Sequence, residues 1–124
     1  MQNFILIFIG GGLGSICRYG ITQLLAYIME NDFPLSTLVA NIASAIILAI
    51  SFIFLFQHNN YTTQWRMLLG IGFCGGLSTF STFSMETFNL IRLHQYGLAL
   101  FNIMLNLVIC IGVLAVIFNY FHKD

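Results

Sequence analysis

The chain has 124 residues, 59% of them hydrophobic and 6% charged, with a formal net charge of zero. Its mean hydropathy is +0.92. Soluble domains carry about 25% charged residues. A chain this poor in charge cannot cover a water-facing surface, and it offers no basic footprint for nucleic acid.

These values point to an all-α membrane protein. A spanning helix needs about 20 mostly apolar residues, and four segments reach that length. The first runs from about Phe4 to Met29. No basic run of a signal peptide precedes it, so it reads as a retained membrane helix. Its "GGGLGS" stretch holds the pairs Gly10/Gly14 and Gly11/Ser15, whose small side chains let another helix approach closely. Arg18 lies about 14 residues in, roughly 20 Å along the helix. That depth gives it two compatible readings: a structural cation on backbone carbonyls, or a charge that draws anions into a vestibule.

The break "ENDFP" brings Glu30 and Asp32 and no base. The second span follows Pro34, a residue suited to a first helical turn, and runs to Phe56. Asn41 sits about two turns in, after Ser36 and Thr37. A lone amide at this depth serves as helix–helix glue or as a ligand group.

The third span runs from about Arg66 to Leu93 and contains "GFCGGLSTFSTFS". Gly70, Gly72, Gly75 and Gly76 each weaken a helix by roughly 1 kcal/mol relative to Ala. Two readings stand. One is a kinked helix patched by hydroxyls that bond to carbonyls four residues back. The other is a discontinuous helix whose freed carbonyls hold a cation. Phe80 and Phe83 share a face, and a phenyl ring has a partly positive edge. Two such edges beside amide donors suit a small, strongly hydrated anion. Thr79, Thr82, Glu86 and Asn89 follow 3–4–3 spacing, so this stripe lines an aqueous route or caps a packing seam.

The fourth span runs from about Leu98 to Phe121, with Asn102, Asn106 and Cys110 recurring every four residues on one face. Cys17, Cys74 and Cys110 read as small buried or lipid-facing residues, neither a disulfide framework nor a metal site. His58, His94 and His122 fall at segment ends, and no nucleophile–base pair indicates an enzyme. Arg66, Arg92 and Lys123 bias the orientation by a single charge. A chain so balanced inserts both ways, as an antiparallel homodimer requires. Four helices also leave little room for a water-filled path, so a pore calls for a second copy.

Three blocks, "GGGLGSICRYG", "FPLSTLVANIAS" and above all "GFCGGLSTFSTFSMET", resemble the CrcB/Fluc family of fluoride channels over essentially the whole chain. Ser36 and Ser44 stand where that family usually has Gly, Ser15 stands for Ala and Ser78 for Thr. The resemblance implies an antiparallel dual-topology homodimer in the plasma (inner) membrane of a bacterium. It would export fluoride passively through two pores at the subunit interface. By motif, Phe80 and Phe83 line each pore and Asn41 donates to fluoride. Thr79, Ser81 and Thr82 add polar lining, joined by Asn102 and Asn106 of the fourth helix. Arg18 and Glu86 belong to the vestibule. Gly75 and Ser78 of both subunits present carbonyls to a structural Na⁺ at the dimer centre. The alternative is a small multidrug-resistance-type exporter of similar size and dual topology. That exporter needs an acidic residue in the first helix, where Arg18 is the one charge.

Overall fold

A computed structural model describes residues 1–28, 33–57 and 63–121. Glu30, Asp32, His58, His122 and Lys123, part of the loop and charge reading, lie outside the described residues. Four stretches are long and apolar enough to cross a bilayer: Gln2–Ile28, Leu35–Ile53, Thr63–Arg92 and Tyr96–Phe121. The first is helix α1 (Gln2–Ile28), the second lies in α2 (Leu35–Gln57), and the fourth is α6 (Tyr96–Phe121). The third is composite: α3 (Thr63–Trp65), a π-helical segment (Arg66–Cys74), α4 (Gly75–Leu77) and α5 (Phe80–Arg92). Pro34 stands just outside α2, where its carbonyl accepts the Leu38 N–H at 3.4 Å. It therefore caps that helix from outside the first turn.

The packing is inverted relative to a soluble bundle. Phe4, Phe8, Tyr27 and Val116 are exposed, whereas Thr87, Asn102 and Asn106 are buried. Lipid tails are as apolar as Leu, so nothing drives these side chains inward. Small residues and polar contacts hold the helices together instead.

The tightest seam joins α1 to the third span. A Cβ added to Gly10 would run into the Leu68 carbonyl oxygen, and one on Gly14 into the Phe73 carbonyl oxygen. From the other side, a Cβ on Gly76 would strike the Gly11 carbonyl, and one on Gly72 would lie 3.0 Å from the Gly10 Cα. Backbone thus meets backbone with no side chain between, as the Gly10/Gly14 spacing predicts. Ser15, the second member of the other pair, is exposed.

The third span does break, but two residues beyond the expected position. Gly75 is helical at φ −65°, ψ −34°. Helical geometry ends at Ser78 (φ −74°, ψ 156°) and Thr79 (φ −152°, ψ 115°). Gly72 and Gly76 serve close packing, and the widened π segment ends in a tight turn, with the Gly75 N–H bonded to the Gly72 carbonyl three residues back. The break itself is made by hydrogen bonds. The Thr79 N–H, which would continue the helix onto the Gly75 carbonyl, donates instead to Asn41 Oδ1 at 2.8 Å. The Cys74 carbonyl collects three donors: the Ser78 N–H at 3.0 Å, and the Ser78 and Ser44 hydroxyls at 2.9 Å each.

Helix α5 then starts on a proper cap, with Thr79 Oγ1 accepting the Thr82 N–H at 3.2 Å. It ends in a Schellman turn. The Gln95 N–H bonds to the Leu90 carbonyl at 2.9 Å and the His94 N–H to the Ile91 carbonyl at 3.0 Å. His94 takes the left-handed position there, at φ 59°.

Candidate functional site

The break opens onto a groove of about 310 Å³ between α2, α5 and α6. Asn41, Ser78, Thr79, Phe80, Phe83 and Asn106 line it, with Cys110 and Leu107 among the apolar walls. Each element supplies its part for a local reason. The extended backbone at Ser78–Thr79 turns α5 so that Phe80 and Phe83 stand side by side, ring centroids 5.8 Å apart and planes at 45°. Phe80 is 79% exposed and Phe83 half-buried.

Behind the groove runs a continuous string of hydrogen bonds. Asn41 Oδ1 accepts the Thr79 N–H, and Asn41 Nδ2 donates to Asn106 Oδ1 at 2.9 Å. Asn106 Nδ2 donates to Asn102 Oδ1 at 3.0 Å and to the Asn102 carbonyl at 3.1 Å. Asn102 Nδ2 donates to Thr87 Oγ1 at 3.0 Å, and that hydroxyl donates to the Phe83 carbonyl at 2.8 Å. The string ties α2, α5 and α6 together through the backbone that carries the phenyl pair. An amide nitrogen has two hydrogens. Asn41 uses one on Asn106, and the other has no acceptor among the described residues. The groove therefore offers one amide donor beside two phenyl rings, which is chemistry for an anion.

The site residues read from sequence divide into groups. Asn41, Ser78, Thr79, Phe80, Phe83 and Asn106 meet in the groove. Asn102 is fully buried behind Asn106 and does not line it. The spacing of four aligned Asn102 with Asn106, as expected, but its partners are side chains and not the groove. Ser81 and Thr82 are exposed on the first turn of α5, away from the groove lining; the Thr82 hydroxyl accepts from Thr79 Oγ1 at 2.9 Å. The four-residue stripe loses its first member, because Thr79 caps α5 and does not lie on its face. Glu86 and Asn89 keep theirs and line a separate cavity of about 300 Å³ with Pro34 and Gln95. One carboxylate oxygen of Glu86, Oε1, accepts the Thr37 hydroxyl at 2.7 Å. Arg18 lies on α1, away from the groove lining, and its carbonyl accepts the Thr22 hydroxyl at 3.1 Å. Gly75 is exposed, with open space where its Cβ would be.

Two contributors escape a reading of single helices. Thr87 is buried at the junction of the string, but its partner Asn102 is 15 residues away. Ser44 reads as a departure from glycine, yet it is buried and supports the Cys74 carbonyl.

The sequence model for the CrcB-like protein family, described as camphor resistance (CrcB), matches residues 5–118. A Coxiella burnetii (strain CbuK_Q154) protein named fluoride-specific ion channel FluC is 44% identical over 112 residues, covering 90% of each chain. The protein of that name from Pyrococcus abyssi (strain GE5 / Orsay) is 45% identical over 111 residues, covering 90% of this chain and 89% of its own. The one from Escherichia coli (strain K12 / MC4100 / BW2952) is 39% identical over 108 residues, covering 87% and 84%. The chain belongs to the CrcB family, and its four apolar helices make it a multi-pass membrane protein.

Proposed function

We propose that this protein is a fluoride-selective channel, an antiparallel dual-topology homodimer that lets fluoride leave a bacterial cell passively through two pores at the subunit interface. The observation that carries the reading is the groove where the uncommitted N–H of Asn41 stands beside the Phe80/Phe83 pair. Its relatives' shared name, fluoride-specific ion channel, supplies the anion. A small hard anion that enters loses water and gains an amide donor and partly positive ring edges. Larger halides, with their charge more spread out, gain less from each contact. Outward movement follows an inside-negative potential, worth about 2.3 kcal/mol per charge per 100 mV.

A groove open on one side, with Phe80 79% exposed, suits a second copy that closes it. The same surface suits a structural Na⁺. Gly75 is exposed, and the donor that would occupy its carbonyl has gone to Asn41. Carbonyls of Gly75 and Ser78 from two copies would give a sodium ion four hard oxygen ligands at the dimer centre. Arg18 and Glu86 would then stand at the vestibule, and Ser81, Thr82 and Asn102 would act in or behind the pore wall.

The test is purified protein in liposomes with a clamped potential. Fluoride efflux without chloride efflux is the expected result. No fluoride flux, or equal chloride flux, overturns the proposal. Dimer affinity measured with and without Na⁺ tests the central ion separately, and independence from Na⁺ rejects it.

A further inference from the structure

We propose that the cavity at the C-terminal end of α5 is a binding site for an alkali cation, held by Glu86 and Gln95. It is separate from the groove and from the break, and the proposal stands whether or not the channel passes fluoride. The first observation is a pair of unmatched acceptors. Glu86 Oε2 and Gln95 Oε1 are both buried, and neither has a hydrogen-bond partner among the described residues. Both residues line the same cavity of about 300 Å³. Buried polar atoms are nearly always partnered, so two orphans on one cavity indicate an occupant that both can face.

The second observation is the kind of atom. Both orphans are oxygens that only accept, and the Thr37 hydroxyl already serves the other carboxylate oxygen at 2.7 Å. No described Lys, Arg or His forms an ion pair with Glu86. A cation in the cavity gives both oxygens a partner at once and balances the carboxylate charge.

The third observation is position. Glu86, Asn89, Leu90 and Leu93 belong to the last turns and cap of α5, whose C-terminal carbonyls carry partial negative charge. Asn89 lines the same cavity. One carboxylate with neutral oxygens favours a monovalent ion. Calcium sites use six to eight oxygens, several of them carboxylates. Magnesium demands a stricter octahedron and gives up its water reluctantly.

The experiment uses crystals of the full chain soaked in a thallium(I) salt, since the thallous ion replaces sodium and potassium at oxygen sites and scatters anomalously. The expected result is an anomalous peak between Glu86 and Gln95 that disappears in Glu86→Gln, weakens in Gln95→Leu and persists in Gly75→Ala. No peak in the wild type, or a peak that survives Glu86→Gln, overturns the proposal. In solution, sodium chloride is titrated against choline chloride at constant ionic strength while the unfolding midpoint is followed. Glu86→Gln is expected to raise the sodium concentration for half of the stabilising effect about tenfold. A sodium response identical to wild type in both Glu86→Gln and Gln95→Leu would reject the site. An infrared band of a protonated carboxyl, lost in Glu86→Gln, would reject it in favour of a bound proton.

Discussion

The side-chain oxygen of Asn41 accepts the backbone N–H of Thr79 at 2.8 Å, and this one bond between α2 and the third span sets where that span stops being a helix. Removing the acceptor leaves a buried amide unpaired, a cost of about 1–3 kcal/mol. Asn41→Leu is therefore expected to speed hydrogen exchange at the Thr79 amide about tenfold or more, since every 1.4 kcal/mol is about a factor of ten. Fluoride flux should fall with it. Unchanged exchange would mean that the break holds without Asn41.

The phenyl pair separates function from stability. Phe80 is 79% exposed and makes little packing within its own chain, so Phe80→Ile should leave the fold of each chain intact and reduce fluoride flux at least tenfold. Phe83 is half-buried, and Phe83→Ile should reduce flux with a stability loss of about 1 kcal/mol. Both variants should remain dimers by light scattering. Full flux in both would place the ion path on another face of α5.

Glycines that look alike in sequence should respond oppositely. Gly10→Ala and Gly14→Ala drive a Cβ into the backbone of the third span and should destabilise by about 1–3 kcal/mol. Gly12→Ala meets nothing and should be neutral or stabilising by up to about 1 kcal/mol. Denaturation in mixed micelles measures all three. Gly75→Ala also meets nothing within one chain, so any loss of dimerisation there reports on the surface between copies.

Thr87 offers an isosteric test of the buried string. Thr87→Val removes the hydroxyl that joins Asn102 to the Phe83 carbonyl and leaves an amide hydrogen unpaired, at about 1–3 kcal/mol. Thr87→Ser keeps the hydroxyl and should restore most of that loss. If Val and Ser behave alike in both stability and the fluoride-to-chloride flux ratio, the hydroxyl is dispensable.

His94 sits at φ 59° in the turn that ends α5. A left-handed conformation costs a non-glycine residue roughly 1–2 kcal/mol. His94→Gly relieves that strain while losing the ring's 3.0 Å contact with the Tyr96 hydroxyl. A net gain of about 0.5–1 kcal/mol in thermal or denaturant unfolding is expected, and a loss would show that the His94–Tyr96 contact outweighs the strain.

The sequence carried the four spans because hydrophobic length is a one-dimensional property. It carried the Gly10/Gly14 seam for a similar reason: spacing along one helix already defines a face. Phe80 with Phe83 and Asn102 with Asn106 were legible on the same grounds. The exact break was not, because Gly75 and Gly76 look like breakers, whereas the deciding donor was captured by a residue 38 positions earlier. Thr87 was missed for a matching reason. On its own helix it looks like any threonine that bonds to a carbonyl one turn back, and its role emerges only against α6. Residue spacing reveals what shares a face; it does not reveal which face meets which.

The amides of Asn41, Asn106 and Asn102 all point the same way. Each gives its oxygen to one neighbour and its nitrogen to the next. None can turn over alone. A flipped Asn41 would set its NH₂ against the Thr79 N–H and its oxygen against the Asn106 oxygen, losing two bonds and creating two repulsions. Reversal would have to run through the whole string, and the backbone groups at its ends, an N–H at Thr79 and a carbonyl at Phe83, forbid the reversed sense. The shape of the break is thus a concerted property, held or lost as a unit across three helices.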